Sequence, residues 1–132
     1  MSTNDLPADC QFTKDHEWAR TEGADLVVGI TRFAVEQLGD ITLVSLDVKV
    51  GAHIDEGKAF GTIESVKTLS DLYAPVSGTI TKVNGALNDK PELVNDDCYN
   101  AAWMIAITPD SPDAANALLD RAAYAAHCDA QH

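Results

Sequence analysis

From Val48 to Ile107 short β-rich segments alternate with turns of Gly, Pro, Asn and Asp. This alternation constrains the fold more than any other feature of the chain. Candidate strands are Ala59 to Val66, Asp71 to Tyr73, Thr79 to Val83 and Trp103 to Thr108. Short strands at regular spacing with polar turns predict a mainly β sandwich or small barrel.

The flanking segments add a hairpin and helices. His16-Glu17-Trp18-Ala19-Arg20 alternates in polarity, and Asp25 to Ile30 contains the apolar run Leu26-Val27-Val28. The turn-like Thr21-Glu22-Gly23-Ala24 between them predicts a hairpin. Thr31 can cap a following helix with its hydroxyl, Phe33, Ala34, Gln37 and Leu38 have helical spacing, and Gly39 supplies the stop. Ile41 to Leu46 returns to a strand. Asp113 to Leu119 and Arg121 to His127 are alanine-rich and predict one or two C-terminal helices, with Pro112 suited to a first turn. Met1 to Asp9 is polar and small and is expected to fray.

With 132 residues and 45% hydrophobic content, the chain is expected to form a single domain, 1–132, with an ordered core of about 11–127. Aromatics are only 6%, so aliphatic side chains must fill that core. The net charge of −12 argues against nucleic acid and anionic membrane as partners and suits docking to basic patches. Cys10, Cys98 and Cys128 form no CxxC pair, which predicts free thiols. No apolar run reaches the roughly 18 residues of a membrane helix, and residues Met1 to Pro7 resemble neither a signal nor a transit peptide. The expected location is cytoplasmic, or the mitochondrial matrix had a presequence been removed.

The most informative stretch runs from Gly61 to Gly78. Strand alternation puts Phe60, Thr62, Glu64 and Val66 on one face, and Gly61, Ile63, Ser65 and Lys67 on the other. Lys67 comes where the pattern ends. Thr68 to Asp71 is turn-like, and Leu72-Tyr73 starts the return strand. Lys67 is therefore predicted at the exposed tip of a hairpin, where it has no structural task. Glu64 and Asp71 flank it and could guide an attaching enzyme. Gly78 follows eleven residues later, beyond Pro75, where a strand must turn closely.

Glu64-Ser65-Val66-Lys67, followed by Ser70-Asp71 and Ala74-Pro75-Val76-Ser77-Gly78, closely resembles the lipoylation segment of glycine cleavage system H proteins. His16-Glu17-Trp18 resembles that family's opening strand. Val28-Gly29-Ile30-Thr31 and Leu38-Gly39-Asp40-Ile41 resemble its early helix and borders. Val83-Asn84 and Pro91-Glu92-Leu93-Val94-Asn95 resemble the segment after the hairpin. The resemblance covers roughly residues 11 to 127.

The resemblance implies a barrel-sandwich hybrid of the lipoyl/biotinyl-carrier type, with lipoate in amide linkage on Lys67. It implies a non-catalytic, monomeric carrier whose arm visits three enzymes. These are glycine decarboxylase (P protein), aminomethyltransferase (T protein) and dihydrolipoyl dehydrogenase (L protein). A lipoate ligase or lipoyl/octanoyl transferase would load it. Glu17 and Asp71 are implied near a cleft that shelters the loaded arm, where a carboxylate can pair with a cationic amine.

The chain departs from the family pattern at Cys98-Tyr99, where Pro-Tyr is usual, at Ala102-Trp103, where Gly-Trp is usual, and across Val44 to Val48, which lacks Glu-Leu-Pro. An H-like lipoate-binding protein of lipoate relay or sulfur-compound oxidation is therefore an alternative. A biotin carrier is disfavoured because Val66 and Thr68, not methionines, bracket the lysine. An unmodified interaction module is disfavoured by the intact motif. His16, His53, His127 and His132 lack a metal-ligand spacing, and neither GxSxG, GxGxxG nor a P-loop occurs, so no catalytic or metal residue is assigned. Trp18 and Trp103 are expected in the core or a cleft wall.

Overall fold

The first hairpin forms where polarity alternates. In the computed structural model, which describes residues 6–111 and 113–130, β1 (Cys10–Phe12), β2 (Glu17–Glu22) and β3 (Asp25–Ile30) run antiparallel. Glu22 pairs with Asp25, so only Gly23 and Ala24 make the turn. Gly23 takes φ 66°, which a tight hairpin turn demands and glycine adopts without penalty. The turn is shorter than Thr21 to Ala24 because pairing draws Thr21 and Glu22 into the strand.

The next segment follows its capping signals. Thr31 accepts the Ala34 N–H at 3.3 Å and opens α1 (Arg32–Leu38). Gly39, at φ 84°, closes it. β4 (Ile41–Leu46) follows, then β5 (His53–Ile54), β6 (Ala59–Ser65), β7 (Leu69–Tyr73) and β8 (Gly78–Val83). Two one-turn helices, α2 (Ala86–Asp89) and α3 (Leu93–Asp96), precede β9 (Ile105–Pro109), and α4 (Arg121–Ala130) ends the described chain. The fold is mainly β, as expected.

The strands make two antiparallel sheets, one ordered β1-β2-β3-β9-β8-β5 and the other β4-β6-β7. Val44, Ile63 and Leu72 from the small sheet and Val28, Ile80 and Ile107 from the large one share one core cluster. The other side of the large sheet is covered by α4, through a second cluster containing Phe12, Trp18, Val27 and Tyr124. Phe12 and Tyr124 stack with ring centroids 4.8 Å apart. This double burial explains the unbroken run Leu26-Val27-Val28. Leu26 and Val28 enter one core and Val27 the other.

Several expectations are corrected. Leu6 lies in the stretch expected to fray, yet it is buried in the second core and its carbonyl accepts from Arg121. Residues 113–119 do not form a helix; only a 3-10 turn, Ala114–Ala117, appears. The backbone of Leu119 exchanges two 2.8 Å bonds with Phe12, and that pairing requires an extended chain. Pro112 lies outside the described residues. Trp103 sits in a turn before β9, its N–H bonded to the Asn100 carbonyl. Phe60 leaves the face of Thr62 and Glu64 and is fully buried, because the β6–β7 register shifts between Ala59 and Gly61.

Candidate functional site: the lysine hairpin

The β6–β7 hairpin turns earlier than its sequence suggests. Residues 66 to 68, not Thr68 to Asp71, form the connection, and β7 already starts at Leu69. Ser65 causes this. Its Oγ accepts the N–H groups of Lys67 and Thr68 at 3.3 and 3.1 Å, while its own N–H donates to the Thr68 carbonyl at 2.8 Å. The side chain thus substitutes for a turn's missing acceptors. A further bond, from Val66 N–H to the Asp40 carbonyl at 3.0 Å, ties the tip to the loop after α1.

Lys67 is exposed at this tip. Its ammonium has no hydrogen-bond or ion-pair partner among the described residues. The aliphatic stem lies over Gly39, with Cε 3.4 Å from where a β-carbon there would stand. Lys67 is therefore held at the backbone and free at the nitrogen.

Glu64 and Asp71 occupy the outer face of the small sheet. One cross-strand row reads Leu43, Glu64, Leu69, and the next Ser45, Thr62, Asp71. Both carboxylates are exposed.

Glu17 is different. It is only 2% exposed, so it is not the solvated strand residue that alternation alone allows. Thr13 Oγ1 donates to its Oε1 at 2.9 Å, and the Tyr73 N–H, at the far end of β7, also reaches the carboxylate. Burial pushes its carboxyl up to about 8, against the lowering effect of the Thr13 bond and with a further push from Asp15. A cleft of about 270 Å³ opens here, lined among others by Thr13, Lys14, Asp15, Glu17, Glu56 and Pro75. Asp71 does not line it. The hairpin therefore joins the four predicted residues in two places. Lys67, Glu64 and Asp71 lie on its tip and outer face, and Glu17 meets its far end.

Neither Ser65 nor Thr13 is marked by the sequence reading, and Gly39 is marked there only as a helix stop. A serine just before the end of a strand pattern is a turn signal that could have found the first. His16 is half-buried against Tyr124 rather than on the surface, its Nδ1 2.7 Å from the tyrosine oxygen. The three cysteines are free and buried. No helix among the described residues is long and apolar enough to cross a membrane.

The two-sheet body presents Lys67, exposed and with its stem over Gly39, on a tight hairpin, an arrangement suited to a carrier of a tethered group. The chain belongs to the glycine cleavage H-protein family. Residues 10–131 match that family's profile, "Glycine cleavage H-protein". The glycine cleavage system H protein of Myxococcus xanthus (strain DK1622) is 47% identical over 123 residues, 93% of this chain and 95% of that one. The one from Geobacillus thermodenitrificans (strain NG80-2) is 49% identical over 120 residues, 91% and 94% of the two chains. The crystal structure of a glycine cleavage system H protein from Mycobacterium marinum superposes with a TM-score of 0.82 at 40% identity, covering 92% of this chain and 97% of that one.

As a member of this family the chain is a lipoyl carrier of the glycine cleavage system. The sulfur-oxidation and lipoate-relay alternative is not favoured. Two of the departures that raised it lie in the core: Cys98 and Ala102 are 2% and 1% exposed. The Cys98 carbonyl also accepts the Trp18 indole N–H at 2.8 Å.

Proposed function

We propose that Lys67 holds lipoate through an amide at Nζ, and that the chain serves as a non-catalytic carrier. In this reading it shuttles the aminomethyl group of glycine among glycine decarboxylase, aminomethyltransferase and dihydrolipoyl dehydrogenase. The single observation that carries the assignment is the unpaired, exposed ammonium of Lys67 on a hairpin pinned by Ser65 and Asp40. That donor set fits the group, since an amide needs one accessible amine with room for a chain beyond it. When bound, lipoate supplies a disulfide that can be opened, loaded and reoxidised.

The protein's own residues anchor and shelter. Amide formation removes the lysine charge, so the tip needs no counter-ion. Tyr73 lies at most roughly 20 Å of extended chain from Lys67, so β7 leads from the anchor towards the Glu17 cleft. A carboxylate whose lone charge is disfavoured by burial is stabilised when a cation arrives beside it. Glu17 is thus the group in this chain best suited to hold a cationic amine away from water. Glu64 and Asp71, exposed beside the tip, are assigned to recognition by the loading enzyme, a lipoate ligase or lipoyl/octanoyl transferase.

The reading takes residues 1–132 as one carrier domain acting as a monomer, supported by a core cluster that runs from Ala19 to Ile107. It takes the location as cytoplasmic, in keeping with the bacterial relatives. Intact-mass analysis after incubation with lipoate, ATP and a lipoate ligase tests it. The wild type is expected to gain one lipoyl increment and Lys67→Arg none. An increment retained by the variant places the anchor elsewhere.

A further inference from the structure

Four large apolar side chains are left exposed among the described residues, and three of them lie on the lysine hairpin or the strand beside it: Leu43 at 47%, Val66 at 70% and Leu69 at 65%. Leu43 and Leu69 stand on either side of Glu64 in one cross-strand row, on β4 and β7 respectively. Val66 is next to the lysine itself. The fold does not use these side chains. The inward face of the same sheet, with Val44, Ile63 and Leu72, supplies the core.

The patch has a charged border. Glu64 stands within it, and Asp71 belongs to the next row with Ser45 and Thr62. Apart from Lys67, neither these two rows nor the tip carries a basic side chain. The complementary surface is an apolar hollow rimmed by Lys or Arg.

We infer that Leu43, Val66 and Leu69 form the docking face for the enzyme that acylates Lys67. This rests on the assignment of Lys67 as the anchor. In that step the Nζ lone pair of the free amine attacks the carbonyl carbon of an activated acyl donor, an adenylate or a thioester. The new C–N bond replaces the donor's C–O or C–S bond, whose electron pair leaves with the phosphate or thiolate, and a base on the enzyme takes the amine proton. The acyl carbon must come within bonding distance of Nζ. The tip and its neighbouring row therefore fall inside this enzyme's footprint. Dihydrolipoyl dehydrogenase, acting on the far end of a finished arm, meets its target a full arm's length from Nζ.

The test uses the full chain, lipoate, ATP and a lipoate ligase, with attachment followed by intact mass. Leu43→Ser with Leu69→Ser is expected to lower kcat/KM for attachment by about tenfold or more, as removal of central apolar contacts does. Leu43→Thr with Leu69→Thr places β-branched residues, which favour strands, at both positions and is expected to give the same loss in a fully folded protein. Variants driven to complete lipoylation by long incubation are expected to be turned over by dihydrolipoyl dehydrogenase at the wild-type rate. Unchanged attachment in the folded threonine variant overturns the inference, and so does an equal loss in both assays. A wild type that gains no lipoyl increment removes the carrier assignment itself, an outcome distinct from either.

Discussion

The stem of Lys67 rests on the bare backbone of Gly39, its Cε 3.4 Å and its Cδ 3.8 Å from the place of a missing β-carbon. The residue that ends α1 is thus also the floor beneath the hairpin lysine. Its backbone, at φ 84° and ψ −167°, lies where only glycine is comfortable.

Gly39→Ala is therefore expected to cost about 1–3 kcal/mol from backbone strain alone. The lysine end is flexible and can move aside, so attachment of lipoate should persist. Thermal unfolding, read beside intact mass, checks both parts. An unchanged melting temperature would show that the strain is not there.

Ser65→Ala removes the acceptor shared by the Lys67 and Thr68 N–H groups. The expected loss is about 1–2 kcal/mol. Hydrogen exchange gives the sharper reading: the Lys67 and Thr68 amides should exchange faster, while the Val66 amide, bonded to Asp40, changes less. Equal protection of all three in both proteins contradicts the turn as described.

At Gly78 a β-carbon would collide with the Thr108 carbonyl oxygen and crowd Ile107, because β8 and β9 pass too closely there. Neither contact lies at a flexible side-chain end. Gly78→Ala is expected to destabilise by about 3 kcal/mol, measured by urea unfolding. A loss under about 0.5 kcal/mol would mean that the strands can separate freely.

Local signals were the legible ones. Thr31 and Gly39 declared the ends of α1 because a cap needs only its own few residues. The lysine hairpin was legible from its motif; Gly78 was expected at a close turn and instead opens β8, where its backbone lies close against β9. What failed depended on distant or side-chain partners. The turn moved to residues 66–68 because Ser65 closes it with both its hydroxyl and its own N–H. Phe60 changed face through a register shift that alternation cannot reveal. The extended chain at Leu119 is imposed by Phe12, more than a hundred residues earlier. Single-turn helices such as α2 and α3 are too short to show a period. Alternation alone marks Glu17 as an ordinary polar strand residue; only the resemblance set it beside a cleft, and its burial emerges when the far end of β7 closes over it.

That burial makes a pH prediction. The Glu17 carboxyl is pushed from an ordinary value near 4.5 up to about 8, first by desolvation. The folded state thus prefers the neutral acid. Below about pH 4.5 the unfolded chain is protonated too, and the contribution to stability is complete. Between 4.5 and 8 the unfolded chain releases this proton while the folded chain keeps it, so stability falls as pH rises. Above 8 the contribution is gone. Glu17→Gln is neutral and nearly isosteric, and its amide oxygen can still accept from Thr13 and the Tyr73 N–H. The variant should match the wild type near pH 4.5 and exceed it by a few kcal/mol at pH 8. Comparing the two at each pH cancels the remaining titrations, among them that of His53, whose affinity for its proton is raised by the hydrogen bond to Asp110. Urea midpoints from pH 5 to 8 provide the measurement. A stability difference that stays flat across that window would mean that Glu17 is ionised in the folded protein, and that its cleft already holds the charge without a cation to meet it.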